Sequence, residues 1–372
     1  MYKGEDKMKV ELDAPNVGMI EKRYISQCID SGFISTFGPL VSEFEGRFAK
    51  YIGIKRAISV QSGTAALHMA LYELRIGPGD EVIIPALTFI ATANAVLYVG
   101  ATPIIVDIDP LTWNIDPESV KEAISSKTKA IMPVHLYGNP CDMDALIKIA
   151  KEHNLYVIED ATESLGAVYK GKQTGTFGDF GCFSFNGNKL ITTGGGGMIV
   201  TDDIKRAEHI KFLINQARDS NRGYYHSEMG FNYRMTNLEA ALGLAQLGRI
   251  DKFLAKKRKF RRLYKNGLRN ISFIRFQEEY NQAQGSWWLN CIKFEKNIDI
   301  DYLVKRLKEN GIETRRVFVP LSEMPYLRKY AKNIRWAYDI YEKGICLPSS
   351  TLNDEDRIEY VISILKRVLN EQ

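Results

Sequence analysis

The chain has 372 residues, 45% apolar and 26% charged, with a formal net charge of +5. These proportions are those of an ordinary globular protein, and the length exceeds what one core usually organises, so two domains, or one large domain with an appendage, are expected. The mild positive balance tolerates acidic small molecules but argues for neither nucleic acid nor a membrane surface.

Five scattered cysteines without CxxC spacing indicate neither a disulfide framework nor a zinc site, and no metal is expected. No run approaches the roughly 18 apolar residues of a membrane span. The opening "MYKGEDKMKVELDAPN" has no apolar signal-peptide core, so a cytoplasmic protein with reduced thiols is expected.

From Arg56 to Val200, strand-like and helical runs alternate. "RAISV" (Arg56–Val60) precedes "TAALHMALYEL", and "EVIIP" (Glu81–Pro85) precedes "TFIATANAVLYVG". "TPIIVDID" (Thr102–Asp109), "KAIMPVHLYG" (Lys129–Gly138) and "LYVIEDA" (Leu155–Ala161) continue the series. The strand runs are continuously apolar, as in strands buried on both faces, and serial β-α units imply an α/β fold with a mostly parallel sheet. After Val200 longer helices take over, and from about Ile271 short strands such as "WWLNCIKF" mix with helices. Residues 1–250 are therefore assigned to a large domain and 251–372 to a smaller α+β domain. The basic run "KKRKFRR" (Lys256–Arg262) is threaded by Ile250, Phe253, Leu254, Phe260, Leu263 and Tyr264 at helical spacing. It reads as the solvated face of an amphipathic helix.

In a parallel sheet, ligands bind beyond the carboxyl ends of the strands. After "RAISV", Gly63 and Thr64 would open a helix whose free N–H groups favour an anion, or Ser62 and Thr64 simply cap it. After "EVIIP", Phe89 could stack on a planar ligand or pack in the core. Asp160 ends a strongly apolar run, where a carboxylate calls for a cation or serves as a cap. Lys189, in "CFSFNGNKLITTGGGGMIV", lacks the G-x-x-x-x-G-K-[ST] pattern of a phosphate loop. It is either an ordinary solvated lysine or a Schiff-base nucleophile whose amine is freed by desolvation. Pyridoxal phosphate needs a phosphate cradle, a stacking ring, a carboxylate for its ring nitrogen and a lysine. These four candidates occur in that order, at strand ends.

The blocks "FISTFGPLVSEFE", "SGTAALHMAL", "GPGDEVIIPALTFIATANAV", "VIEDATESLGA", "GDFGCFSFNGNKLITTGGGGMIVT", "GFNYRMTNLEAALGLAQL" and "GICLPSSTLNDED" span nearly the whole chain. Together they resemble the DegT/DnrJ/EryC1/StrS family of nucleotide-sugar aminotransferases. The resemblance implies a fold type I pyridoxal-phosphate enzyme, with a large domain built on a mostly parallel, seven-stranded-type sheet and a smaller C-terminal domain. It implies that Lys189 holds the cofactor as an internal aldimine and later moves a proton, and that Asp160 partners the pyridine nitrogen. It places Phe89 on the ring face, Gly63, Thr64 and Ser184 at the phosphate, and Glu163 near the phenolic oxygen. Asn232 is implied to reach a neighbouring subunit's cofactor phosphate, giving a homodimer with shared sites. Relatives with histidine in place of the lysine dehydrate deoxysugars, so Lys189 speaks for transamination.

The implied substrates are L-glutamate and a nucleotide-linked 4-keto-6-deoxyhexose, aminated at C4 as in the perosamine-synthase group. Arg315 and Arg316 are candidates for the nucleotide diphosphate, or solvated arginines at a strand end. His226 is a candidate for approach to the substrate from the neighbouring subunit, or an ordinary loop histidine. Ser322 stands in "PLS" where many relatives carry histidine.

Overall fold

The computed structural model describes residues 8–371. Two helices come first, α1 (Met19–Ser31) and α2 (Pro39–Ile52), the second with its proline in the first turn, where a missing N–H costs nothing. There follow β1 (Arg56–Val60), α3 (Gly63–Glu73), β2 (Glu81–Pro85), α4 (Ala91–Tyr98) and β3 (Thr102–Val106). Next come α5 (Pro117–Ala123), β4 (Thr128–Ile131), α6 (Met143–Glu152) and β5 (Tyr156–Asp160). With β6 (Phe180–Ser184) and β7 (Gly197–Thr201) they form a seven-stranded sheet in the order β1-β7-β6-β5-β4-β2-β3. The pairs β2–β3, β2–β4, β4–β5 and β5–β6 are parallel, whereas β7 runs antiparallel to β1 and β6. Six strands therefore point one way, and the carboxyl ends of β1, β5 and β6 share one edge.

The continuously apolar strands are buried as expected, down to the last four residues of β1, β2, β3 and β5. The run Lys129–Gly138 is different. Its strand ends at Ile131, and Leu136–Gly138 is a tight turn in which Tyr137 takes φ 55°. A β-strand reading could not anticipate this left-handed residue, which turns the chain toward the strand ends.

After β7 come α7 (Ile204–Leu213), α8 (Asn237–Leu247) and α9 (Ile250–Leu268). The remainder comprises β8 (Ile274–Phe276), β9 (Asn290–Phe294), α10 (Ile300–Glu309), β10 (Arg315–Arg316), α11 (Trp336–Lys343), β11 (Gly344–Leu347) and α12 (Glu355–Leu369). Its sheet has the order β8-β9-β11-β10, all antiparallel. Core packing crosses the 250/251 line, with Trp288, Cys291, Val317 and Ile340 joining the cluster of the large sheet. Helix α9 sends Ile250, Phe253 and Leu254 into one apolar cluster with Phe44 and Phe183, and Phe260, Tyr264 and Leu268 into another with α10 and α12. Val10 bridges to Ile312 and packs in that second cluster.

The basic run on α9 is only partly a solvated face. Lys259 and Arg262 are exposed, but Lys257 and Arg261 are 3% and 5% exposed. Their stems follow the apolar stripe inward, and their heads find backbone carbonyls, those of Trp288 and Gln277.

Candidate active site

At the carboxyl edge of the large sheet lies a cavity of about 340 Å³. It gathers Gly63, Thr64, Phe89, Asp160, Glu163, Ser184, Lys189 and Arg315 from segments far apart in the chain.

The turn from β1 into α3 forms one end. Ser62 caps the helix, its Oγ accepting from the Ala65 amide at 3.0 Å. The first-turn N–H groups of a helix have no intrahelical acceptor, and with the helix dipole they favour an anion. Gly63 is required here by crowding, since a Cβ would stand 2.9 Å from the Ser184 Cβ and 3.0 Å from Thr162 Cγ2. The four-glycine run meets the same turn from the other side. A Cβ on Gly197 would lie 2.5 Å from the Ser62 carbonyl carbon, and the Gly196 amide donates to the Gln61 oxygen at 2.7 Å. The glycines thus admit the chain's own backbone.

Asp160 is the last residue of β5 and 3% exposed. Its Oδ2 accepts from Thr92 Oγ1 at 2.8 Å, and its Oδ1 from the Thr162 hydroxyl and amide at 2.7 and 3.2 Å. Thr88 lies 3.0 Å from the Thr92 hydroxyl, on the approach to α4. The carboxylate is fixed in place by hydroxyls, without a cation from the protein among the described residues. Phe89, read either as a core or a stacking residue, is 53% exposed at the cavity, with Phe318 at 5.8 Å between centroids.

Lys189 follows β6 in the loop that returns as β7. Its side chain is 13% exposed, its Nζ lies 3.7 Å from Glu163 Oε1, and the amine sits 3.9 Å from the centroid of the Trp288 ring. Burial pushes the lysine below its ordinary pKa, with Glu163 and Asp160 acting in opposition. Burial likewise pushes the Glu163 carboxyl up, against the pull of Lys189. Both shifts run toward the neutral forms of the pair, the direction a nucleophilic amine requires. Glu163 is held by the Tyr137 amide at 2.8 Å, the residue with left-handed backbone. The Tyr137 hydroxyl accepts from the Phe318 amide at 2.8 Å, and the two rings stack at 5.1 Å. One residue in a sparsely populated conformation therefore ties the large sheet to the opposite wall.

Arg315 and Arg316 part company. Arg315 faces the cavity, its guanidinium 5.3 Å from the Phe318 ring centroid and 5.8 Å from that of Trp288. Its Nε and Nη2 are buried without a hydrogen-bond partner. Arg316 points the other way, donating to Asp301 at 2.9 Å and to the Glu342 carbonyl at 3.4 Å. Successive strand residues face opposite sides, so only one of the pair can serve this cavity.

Asn232 and His226 are not brought to the cavity of their own chain. Asn232 is exposed and bridges to Asn215, while His226 is exposed with Nδ1 2.7 Å from the Gln216 carbonyl. Ser322 is buried at 3% exposure, in a short turn off the cavity wall. Residues that sequence reasoning passed over are Thr92, Thr162, Tyr137, Trp288 and Phe318. Trp288 and Phe318 lie in loops before β9 and after β10; "WWLNCIKF" reads as strand throughout, but the strand begins only at Asn290.

An anion-binding helix end, an exposed ring, a buried carboxylate and a lysine of lowered pKa line one cavity. That donor set fits a flat aromatic aldehyde carrying a phosphate. The chain's residues 16–366 match the DegT/DnrJ/EryC1/StrS aminotransferase family. The sequence is 43% identical over 369 residues to GDP-perosamine synthase of Caulobacter vibrioides, covering 98% of this chain and 99% of that one. The fold is similar to that of the aminotransferase TlmJ from Streptoalloteichus hindustanus, with a TM-score of 0.93 at 26% identity over 98% of this chain and all of the other. It is also similar to GDP-4-keto-6-deoxymannose-3-dehydratase (ColD) with bound GDP-perosamine, with a TM-score of 0.90 at 28% identity over 96% of this chain and 100% of that one. The chain belongs to the DegT/DnrJ/EryC1/StrS aminotransferase family, as an enzyme whose fold type I architecture and family imply pyridoxal phosphate as cofactor.

Proposed function

We propose that this enzyme moves an amino group from L-glutamate to C4 of a nucleotide-linked 4-keto-6-deoxyhexose, in the biosynthesis of surface-glycan sugars. The observation that carries the reading is a buried Lys189 amine sharing a cavity with Asp160 and the amino end of α3. The choice of sugar is supported by the 43% identity to a GDP-perosamine synthase and by the likeness to an enzyme solved with bound GDP-perosamine.

Pyridoxal phosphate, when bound, supplies an electron sink that renders the Cα–H of an amino donor acidic. Lys189 would be the residue to hold it, and its amine would be the group that carries a proton. The Glu163 carboxyl stands beside that amine. Asp160, oriented by Thr92 and Thr162, would hold the ring nitrogen. Gly63, Thr64 and Ser184 would hold the phosphate, and Phe89 would cover the ring. Arg315 offers two unpaired buried donors to an anionic group of a substrate.

Asn232 and His226 serve the site of a second copy, which makes a homodimer the working unit. Their exposure away from their own cavity supports this, as do Phe33, Ile34 and Phe37, apolar side chains 40%, 50% and 79% exposed before α2. The test is a panel of GDP-, UDP- and dTDP-linked ketosugars with glutamate, the product read by NMR. A new amine at C4 of a 4-keto-6-deoxyhexose is expected. Amination only of 3-keto sugars would replace the C4 reading.

A further inference from the structure

Helix α9 carries three cations that close on one loop. Lys257 Nζ donates to the Trp288 carbonyl at 2.7 Å. Arg258 donates through Nε to the Gly285 carbonyl at 3.2 Å and through Nη2 to that of Gly166 at 2.9 Å. The Arg261 guanidinium lies 3.8 Å from the centroid of the Trp287 ring. From the other side, the Ser286 amide donates to the Gly138 carbonyl at 2.9 Å, in the turn that holds Tyr137. Between these supports Trp287 is held at φ 55°.

The loop delivers the Trp288 indole. Its ring meets the Lys189 amine at 3.9 Å, and its Nε1 donates at 2.6 Å to the carbonyl of Asn188, the residue before Lys189. Among the described residues no carboxylate lies within ion-pair distance of Lys257; Asp13 acts on it only through space. Burial pushes Lys257 down to about 7, and a polar head buried on a carbonyl without a counter-ion costs stability that an apolar residue would not. Packing alone does not account for a lysine here.

We propose that Lys257 is a positioning residue, fixing the Trp288 indole against the Lys189 amine through the Trp288 backbone. The inference rests on the reading of Lys189 as the cofactor lysine. Glu163, Asp160 and Asp13 raise the proton affinity of Lys189 and Arg315 lowers it, and none of them is touched by a change at Lys257; the ring face at this distance also favours the cation, so loosening it lowers that affinity by about half to one pH unit.

Two readouts test it. One is the pH midpoint of the visible band of the protein loaded with pyridoxal phosphate. The other is the pH midpoint of Lys189 acetylation by trace acetic anhydride, read by peptide mass spectrometry after the cofactor is removed. Lys257→Met should lower both by about half to one pH unit, and Lys257→Arg should restore most of the shift. In a Trp288→Leu background Lys257→Met should add nothing further. If Lys257→Met does not fold, Lys257→Gln is read in its place. An unmoved acetylation midpoint overturns the proposal, as does an equal shift with and without the Trp288 indole. A wild-type protein with no visible band would overturn the cofactor reading instead, and the acetylation series would still decide this one.

Discussion

The two walls of the cavity are built on opposite terms. On the large-sheet side the polar groups are satisfied from within the chain: Asp160 by Thr92 and Thr162, Glu163 by the Tyr137 amide. On the small-sheet side Arg315 keeps Nε and Nη2 without partners, between the rings of Phe318 and Trp288. A buried donor left unbonded is costly unless something else meets it. The carboxylates of the first wall are fixed by folding, whereas the arginine of the second is completed by what it binds. Changes to the first should therefore damage turnover, and changes to the second should damage substrate affinity.

The largest effect is expected from Lys189→Ala. Turnover with glutamate should fall by about 10³-fold or more, measured as 2-oxoglutarate formed. Wild-type turnover in this variant would end the contrast altogether. Asp160→Asn keeps the shape and removes the charge, so kcat should fall about 10²- to 10³-fold with little change in KM for either substrate. Arg315→Gln should do the reverse, raising KM for one substrate about 10- to 100-fold with kcat nearly kept. A loss confined to kcat would place Arg315 with the first wall.

The smallest effect is a shift in pH dependence. Burial lowers the Lys189 pKa and the Glu163 carboxylate opposes it, so Glu163→Gln leaves burial less opposed. The lysine pKa then falls further, and the acidic limb of the kcat profile, where the amine must lose its proton, should move to lower pH. Plateau turnover should change less than about tenfold. A limb that stays where it is would show that Glu163 does not act on the amine.

The same division governs what could be read from the chain. Asp160 and Ser184 end buried strands and Gly63 and Lys189 come soon after such strands, and continuous apolar runs mark these strands plainly. "VIED" held more than was taken from it. Alternation along β5 sends Asp160 to the cavity and Glu159 to the other face, where Glu159 meets His135 at 3.0 Å and the amides of Gly175, Phe177 and Gly178. That separation was available from the period alone. Trp288 and Phe318 were not available, because their place depends on how two sheets pack. Tyr137 escaped because its left-handed backbone interrupts a run that reads as strand. "KKRKFRR" misled because long cationic stems can follow an apolar stripe inward.

The antiparallel strand β7 also bears on how the enzyme can diverge. Ser184 and Gly197 face one another in register, so the segment bearing Lys189 is a closed hairpin loop moored at both feet. Its far foot is wedged beside Ser62, at the entrance to α3. Adding or deleting a residue within that loop would displace the amine or break the mooring, since sliding β7 by one position would turn its buried side chains over. Length, as much as composition, should be held constant there.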